Sequence, residues 1–110
     1  MPDTQQLDLT AMRAAAAQAC SLLKVLGNPD RLLLLCQLTQ GEYCVSDLES
    51  LLGIGQPTLS QQLGVLREEQ LVSTRREGKQ IFYRIDSPEA LAVMGVLYEQ
   101  FCLPTKGVQA

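Results

Sequence analysis

Two short segments with apolar stripes, joined by a glycine turn, constrain the fold of this chain more than any other feature. In each segment leucines recur three or four positions apart, which is the spacing of one helix face. The turn between the segments is Gly53-Ile54-Gly55. The leucines expected to face a core are Leu48, Leu51 and Leu52 before the turn and Leu59, Leu63 and Leu66 after it. Two short helices joined in this way predict a helix-turn-helix.

The outer face of the second segment is polar, and no charged residue occurs from Gly53 to Leu66. On a helix, Gln61 points away from the leucine stripe, and Thr58 and Ser60 lie on its two flanks. Side chains that donate and accept hydrogen bonds suit base edges in the DNA major groove, where Gln pairs with adenine and Ser and Thr are permissive. The candidate base-contacting residues are Gln56, Thr58, Ser60, Gln61 and Gln62.

The next segment, LVSTRREGKQIFYRI, alternates and is rich in residues that favour strands. It predicts a β-hairpin with a charged tip at Glu77-Gly78-Lys79, and a hairpin in this place makes a winged helix-turn-helix. Cations on such a wing suit the phosphate backbone or the minor groove, and the candidates are Arg75, Arg76 and Lys79. Arg84 lies inside a strand and is expected to be structural.

Charge is unevenly distributed along the chain, whose net charge is −3. The stretch from Gln56 to Ile85 has five cations and three anions, whereas the rest has four cations and nine anions. Because salt screens distant charges, the local face matters more to a polyanion than the total does. The acidic composition therefore does not argue against binding to nucleic acid.

Helices are predicted on both sides of this motif. A first helix from about Asp8 to Leu26 has one stripe, and a second is capped by Asn28-Pro29 and stops near Gly41. The helix before the glycine turn opens with a capping box, Ser46 to Glu49. The stripe of the first helix consists of Met12, Ala16, Ala19, Leu23 and Leu26.

The last helix is predicted to start at Ser87-Pro88 and to run to about Cys102. It is so apolar that the first helix and a second copy of the chain are the expected cover. Its main stripe consists of Leu91, Met94, Leu97, Tyr98 and Phe101.

The predicted fold class is mainly α with a small β-hairpin, a winged helix-turn-helix in the order ααααββα. One domain is expected over residues 8–103, with a disordered tail at 1–7 and a flexible tail at 104–110. Hydrophobic residues make up 46% of the chain but aromatics only 5%, which suits small aliphatic helices. No secretion signal is evident, and the longest strongly apolar run, Leu32 to Cys36, is too short to cross a bilayer. A cytoplasmic location without a membrane partner is expected.

Two residue counts exclude whole classes of chemistry. The chain has no histidine, which excludes Ser-His-Asp and Cys-His catalysis and histidine-based zinc sites. Its four cysteines, Cys20, Cys36, Cys44 and Cys102, form no Cys-x-x-Cys pair. Neither an enzyme nor a cofactor is expected, and Cys20 is interpreted as a packed, buried residue.

The stretches NPDRLLLL, GEYCVSDL, GQPTLSQQLGVLREEQLV and REGKQIFYRI resemble consecutive signatures of the ArsR/SmtB family of bacterial winged-helix repressors. The resemblance covers residues 8–103. It implies a homodimer joined through the first and last helices, which binds an inverted-repeat operator in double-stranded DNA and leaves it when an inducer arrives. By position, Gln56, Thr58, Ser60 and Gln61 fall where the family reads DNA, and residues 76–79 form the wing tip.

The inducer is suggested by the cysteines. A family metal site reads Glu-Leu-Cys-Val-Cys-Asp-Leu, but Ser46 replaces its second cysteine here, and a second metal site needs histidine. The chain is more similar to the sulfide- and persulfide-responsive BigR/SqrR branch, whose two cysteines correspond to Cys36 and Cys102. No metal site is expected, because both family metal sites lack ligands here. The resemblance implies that Cys36 and Cys102 are free thiols in the DNA-binding state and that reactive sulfur species or oxidants link them, directly or through extra sulfurs.

Such a link is chemically reasonable, because one thiolate attacks a persulfide or disulfide sulfur and a nearby thiol resolves the adduct. A cross-link between Cys36 and Cys102 would raise the free energy of the unfolded chain by roughly 4 kcal/mol, because it restricts the conformations of the segment between them. A direct disulfide requires their Cα atoms within about 7 Å. Three alternatives remain at this stage. They are a sensor of thiophilic metal or arsenite using Cys44 with other thiols, a thiol-redox enzyme, and a protein-interaction module with a degenerate wing.

Overall fold

A computed structural model describes residues 8–102, so both predicted tails and residue 103 lie outside the described residues. Within this range the chain forms five helices and a three-stranded sheet, which confirms the mainly helical winged helix-turn-helix and adds one strand to it. The elements in chain order are α1 (Leu9–Leu26), α2 (Pro29–Leu38), β1 (Tyr43–Cys44), α3 (Val45–Leu52), α4 (Thr58–Glu68), β2 (Val72–Glu77), β3 (Gln80–Ile85) and α5 (Pro88–Phe101).

The wing, defined as the antiparallel hairpin β2–β3, has its tip at the predicted residues. Glu77 pairs with Gln80 at its tip, and Gly78 turns the chain there with φ +64°, a left-handed conformation that favours glycine. Strand β1 was not predicted. It adds to the other edge of β3, where Tyr43 pairs with Tyr83. Two residues are too few to show an alternating pattern, so only the neighbouring strand identifies them as a strand.

The core is built mainly from leucines of helices α2, α3 and α4. The helix-turn-helix expectation is confirmed for Leu48, which is fully buried, and for all three leucines of α4. It is wrong for Leu51, which remains 56% exposed because the short helix α3 presents Leu48 and the half-buried Leu52 to the core. The most deeply buried large side chains are Leu34, Leu35, Leu48, Leu59, Leu63 and Leu66.

Three predicted helix ends are confirmed. Asn28 Oδ1 accepts a hydrogen bond from the Arg31 amide at 3.0 Å, and Ser87 Oγ accepts one from the Ala90 amide at 3.1 Å. Gly53 ends α3 with φ +70°. These ends follow directly from the sequence, because each depends on one residue and on backbone groups within a few positions of it.

Two other predicted ends are wrong. Helix α3 begins at Val45, one residue before the predicted cap, so Ser46 lies within the first turn and no capping box forms. Helix α2 ends at Leu38, three positions before Gly41. After Thr39 the backbone forms turn hydrogen bonds between residues three positions apart instead of helical ones. The Gln40 amide donates to Gln37 O at 2.9 Å, and the Thr39 hydroxyl donates to Cys36 O at 2.6 Å.

Helix α1 lies largely outside the core of its own chain. Only Val25 and Leu26 are buried, whereas Leu23 of the predicted stripe is 60% exposed. Cys20 is exposed as well, which contradicts the interpretation of this residue as buried, because no element among residues 8–102 covers that face. No helix among residues 8–102 has the length and apolarity to cross a membrane.

Candidate DNA-binding surface and thiol groove

Helix α4 presents a polar face opposite its buried leucines. Ser60 and Gln61 are exposed there and Thr58 is half-buried. Gln56 has a structural contact, because its Oε1 accepts a hydrogen bond from the Ser60 amide at 3.1 Å and so satisfies the start of the helix. Its amide NH2 group remains able to donate.

Gln62 is held by a residue that sequence reasoning missed. Its Oε1 accepts a hydrogen bond from Arg31 Nη1 at 2.8 Å. Of the five candidate base-contacting residues, Ser60 and Gln61 combine exposure with side chains that make no hydrogen bond within residues 8–102. The signal for Arg31 in the sequence is weak, since it is one cation at the start of the apolar helix NPDRLLLL.

The cations of the wing differ in their partners. Arg75 Nε donates to Glu42 Oε1 at 2.7 Å and Arg75 Nη1 donates to Glu77 Oε1 at 2.8 Å. Its guanidinium carbon also lies 4.8 Å from the Phe82 ring centroid. The two carboxylates raise the pKa of Arg75 and neutralise much of its charge locally.

Arg76 and Lys79 are exposed, and within the described chain neither forms an ion pair. Arg84, expected to be structural, lies 3.9 Å from the second carboxylate oxygen of Glu42. On the wing, the positive charge without a carboxylate partner in the described chain is therefore at Arg76 and Lys79.

Cys36 and Cys102 line the same cavity of about 370 Å³, which we call the thiol groove. It lies between α2 and α5, with Cys36 half-buried and Cys102 exposed at the end of α5. Apart from the two thiols, its side chains are apolar or aromatic. They are Pro29, Leu32, Leu33, Met94, Leu97, Tyr98 and Phe101.

The groove changes the acidity of one thiol. Burial among apolar side chains raises the pKa of Cys36, and the neighbouring Cys102 raises this pKa further. Cys36 is consequently less nucleophilic at neutral pH than an ordinary thiol.

Cys44 lies apart from this pair. It is buried beside the sheet, with Sγ 3.3 Å from Ser46 Oγ and 3.7 Å from Gln80 Nε2. Among residues 8–102, no three Cys, His, Asp or Glu side chains come together in a way that could hold a metal ion. Within one copy of the described chain, Cys44 therefore has no pair of further ligands of these types around it.

A helix-turn-helix whose second helix has a polar, uncharged outer face, followed by a wing with unpaired cations, defines a winged-helix DNA-binding regulator. The chain belongs to the ArsR family of bacterial regulatory proteins. The family model described as "Bacterial regulatory protein, arsR family" matches residues 28–74.

The relatives support the same assignment over nearly the whole chain. The biofilm growth-associated repressor of Agrobacterium fabrum is 50% identical over 106 residues, which cover 96% of this chain and 91% of that protein. The crystal structure of the transcriptional repressor BigR from Xylella fastidiosa matches with a TM-score of 0.80 at 49% identity, over 88% of this chain and 99% of that one. Reduced HlyU from Vibrio cholerae matches with a TM-score of 0.81 at 39% identity, over 84% and 98% of the two chains. These relatives are regulators, so the expectation that the chain is not an enzyme is confirmed.

Proposed function

We propose that this chain is a transcriptional repressor that binds its operator as a homodimer and releases it when Cys36 and Cys102 become linked by a disulfide or a polysulfide. The observation that carries the proposal is that both thiols line one apolar groove between α2 and α5. It is supported by the likeness to BigR, which is described as a transcriptional repressor. A protein with this role acts on the chromosome, so we expect it in the cytoplasm.

The DNA contacts divide between two elements. Helix α4 would enter the major groove and read bases with Gln61 and Ser60, assisted by Thr58 and the free amide group of Gln56. Arg76 and Lys79 on the wing would bind phosphates or the adjacent minor groove, because their charges have no partner in the described chain. This division explains how the recognition helix can lack charge in a protein that binds a polyanion.

Dimerisation is supported by the apolar surface that α1 and α5 leave uncovered. Leu23 on α1 and Phe101 on α5 are 60% and 80% exposed, and Leu9, Met12, Leu91 and Val96 add to this surface. Several large apolar side chains exposed on two helices are expected to be covered by an interface in a small protein. A twofold dimer would present two recognition helices, one to each half of an inverted repeat.

The proposed redox step needs a persulfide, R–S–SH, as the small-molecule inducer. The thiolate of Cys102, the more exposed of the two cysteines, attacks the terminal sulfur and expels RS⁻, which leaves a persulfide on Cys102. The Cys36 thiolate then attacks the inner sulfur, forms the Cys36–Cys102 disulfide and expels HS⁻. If both cysteines are first persulfidated, attack of one on the other gives a trisulfide and releases HS⁻.

The test uses the full-length protein and an operator located by footprinting with reduced protein. Treatment with a persulfide donor should abolish binding and leave a Cys36–Cys102 link that mass spectrometry detects. Cys36→Ser and Cys102→Ser should remain bound after treatment, whereas Cys20→Ser should respond as the wild type does. Release without a mass change at Cys36 or Cys102 refutes the redox assignment, and release by arsenite that depends on Cys44 favours the metal sensor instead.

A further inference from the structure

One guanidinium joins three helices at the centre of the structure. Arg31, in the first turn of α2, donates from Nε to Val25 O at 2.6 Å and from Nη2 to Lys24 O at 3.4 Å. From Nη1 it donates to Gln62 Oε1 at 2.8 Å. The side chain thus connects the end of α1, its own helix α2 and the middle of the recognition helix α4.

The charge of Arg31 is held by carbonyl groups. Within residues 8–102 it forms no ion pair with a carboxylate. The carbonyls of Lys24 and Val25 lie in the last turn of α1, at the negative end of its dipole, so they favour a cation. Lys24 O also accepts a hydrogen bond from the Gly27 amide at 3.3 Å. The planar guanidinium donates in three directions at fixed angles, whereas a lysine ammonium is a compact charge whose donors rotate about one nitrogen.

The buried leucines of α4 set the rotation of this helix about its own axis, and the bond between Gln62 and Arg31 adds a polar restraint on it. Gln62 directly follows Gln61, so about 100° of helix rotation separates the side chain held by Arg31 from the exposed one. While Gln62 is bonded to Arg31, Gln61 and Ser60 keep a defined direction relative to α2. Loss of this bond would allow the base-contacting face to turn.

Arg31 and Cys36 lie on the same short helix. Their five-residue separation corresponds to roughly 7.5 Å along the axis of α2. A ten-residue helix moves as a rigid element, so a displacement of α2 caused by linking Cys36 to α5 also displaces Arg31. The hydrogen bond between Arg31 and Gln62 would transmit such a displacement of α2 to α4.

We propose that Arg31 is a positioning residue that couples α1 and α2 to the recognition helix through its bond to Gln62. The part of this inference that concerns release rests on the proposed function, because it assumes that a link between Cys36 and Cys102 moves α2. The part that concerns DNA recognition does not depend on the inducer.

The first experiment is a double-mutant cycle in reduced, full-length protein, with Arg31→Met, Gln62→Met and the double variant. Each single variant should weaken operator binding by about tenfold, as expected for the loss of a hydrogen bond to a charged group. The double variant should bind about as weakly as either single one. Affinity for random DNA should change by less than about threefold, since Arg76 and Lys79 are intact.

Arg31→Lys is the matched control, because it keeps the charge and loses the guanidinium fork. It should weaken operator binding as Arg31→Met does and leave the salt dependence of binding unchanged. Binding restored by Arg31→Lys, or a salt slope reduced by about one unit in Arg31→Met, would assign Arg31 to a phosphate contact and overturn the proposal. Additive effects in the cycle would overturn it as well. Gln62→Met keeps both carbonyl contacts of Arg31 and provides the test if Arg31→Met does not fold.

The second experiment measures operator affinity before and after treatment with the persulfide donor. In the wild type the ratio of the two affinities should be large, and in Gln62→Met it should fall at least threefold. An unchanged ratio would overturn the role in release. If the wild type itself is not released, the proposed function fails, while the cycle in reduced protein still decides the role of Arg31 in recognition.

Discussion

Arg75 and Glu42 form a close ion pair between the wing and the segment before β1, with Arg75 Nε 2.7 Å from Glu42 Oε1. Glu42 precedes β1, whereas Arg75 belongs to β2, so the pair joins the two outer strands of the sheet across β3. Because Glu77 holds the same guanidinium, the charge of Arg75 is already satisfied within the protein. Within the wing, Arg75 is thus a structural arginine, whereas Arg76 and Lys79 have no carboxylate partner among the described residues.

This contrast predicts different effects of two neighbouring substitutions. Arg76→Ala should weaken binding to all DNA sequences and reduce the slope of log K against log salt by about one unit. Arg75→Ala should change this slope by much less. Fluorescence anisotropy titrations at several salt concentrations measure both slopes, and a larger loss for Arg75→Ala than for Arg76→Ala would contradict the prediction.

Removing the carboxylate of Glu42 tests the same relationship from the other side. Glu42→Gln keeps the shape of the side chain but frees positive charge at Arg75 and reduces the negative charge near Arg84. We expect tighter binding to random DNA at low salt and a steeper salt dependence than in the wild type. The stability of the fold should change little, because the pair is exposed. Unchanged binding would show that the wing cannot use the additional charge.

Base reading is expected to depend on Gln61. Gln61→Ala should reduce the preference for operator over random DNA by about 1–3 kcal/mol and relax the base requirement at one position of each half-site. Selection from randomised operators with wild-type and variant protein measures this change. If Gln61→Ala has the operator and random-DNA affinities of the wild type, the base-reading role is excluded.

Leu23 is expected to lie in the dimer interface. It is 60% exposed, nearly the same as Leu51 at 56%, but it lies on the uncovered face of α1. Leu23→Glu should dissociate the dimer because it places a charge in an apolar contact, whereas Leu51→Glu should not. Sedimentation equilibrium over a range of concentrations distinguishes the two variants. Equal effects of the two substitutions would place the interface elsewhere.

The acidity of Cys36 predicts a particular pH dependence. Burial and the neighbouring Cys102 raise the pKa of Cys36, so the reactive thiolate is scarce at neutral pH and increases with pH. Alkylation of Cys36 should accelerate about tenfold per pH unit through the neutral range and continue to rise above about pH 8.5, where an ordinary thiol is half ionised.

Mass spectrometry of Cys36 labelling at several pH values, compared with the urea-unfolded protein, measures the midpoint of this rise. In Cys102→Ser the midpoint should move to lower pH but stay above that of the unfolded protein, because the larger effect, burial, remains. A midpoint in the folded wild type at or below that of the unfolded chain would contradict the environment described for this thiol.

Local features of the sequence determined most of the secondary structure. Asn28, Ser87 and Gly53 determine helix ends because a cap needs only side-chain and backbone groups within a few positions. The leucines of α4 determine the buried face because helical periodicity is a local property. The prediction that Ser46 caps α3 was wrong, because the helix begins at Val45 and Cys44 occupies the cap position. Cys44 also pairs with β3 as part of β1, and this pairing is not visible in the local sequence.

Only the tertiary structure decided which side chains meet and which remain free. Arg31 reaches Gln62 across 31 positions, and Arg75 reaches Glu42 across 33. Cys36 and Cys102 share a groove because α2 packs beside α5. Such contacts depend on how the helices pack and which sheet edge is extended, and neither follows from periodicity. The sequence by itself therefore determined the helices, the wing and the buried face of α4, whereas the packing of distant elements decided which polar groups remain available for DNA and which thiols can meet.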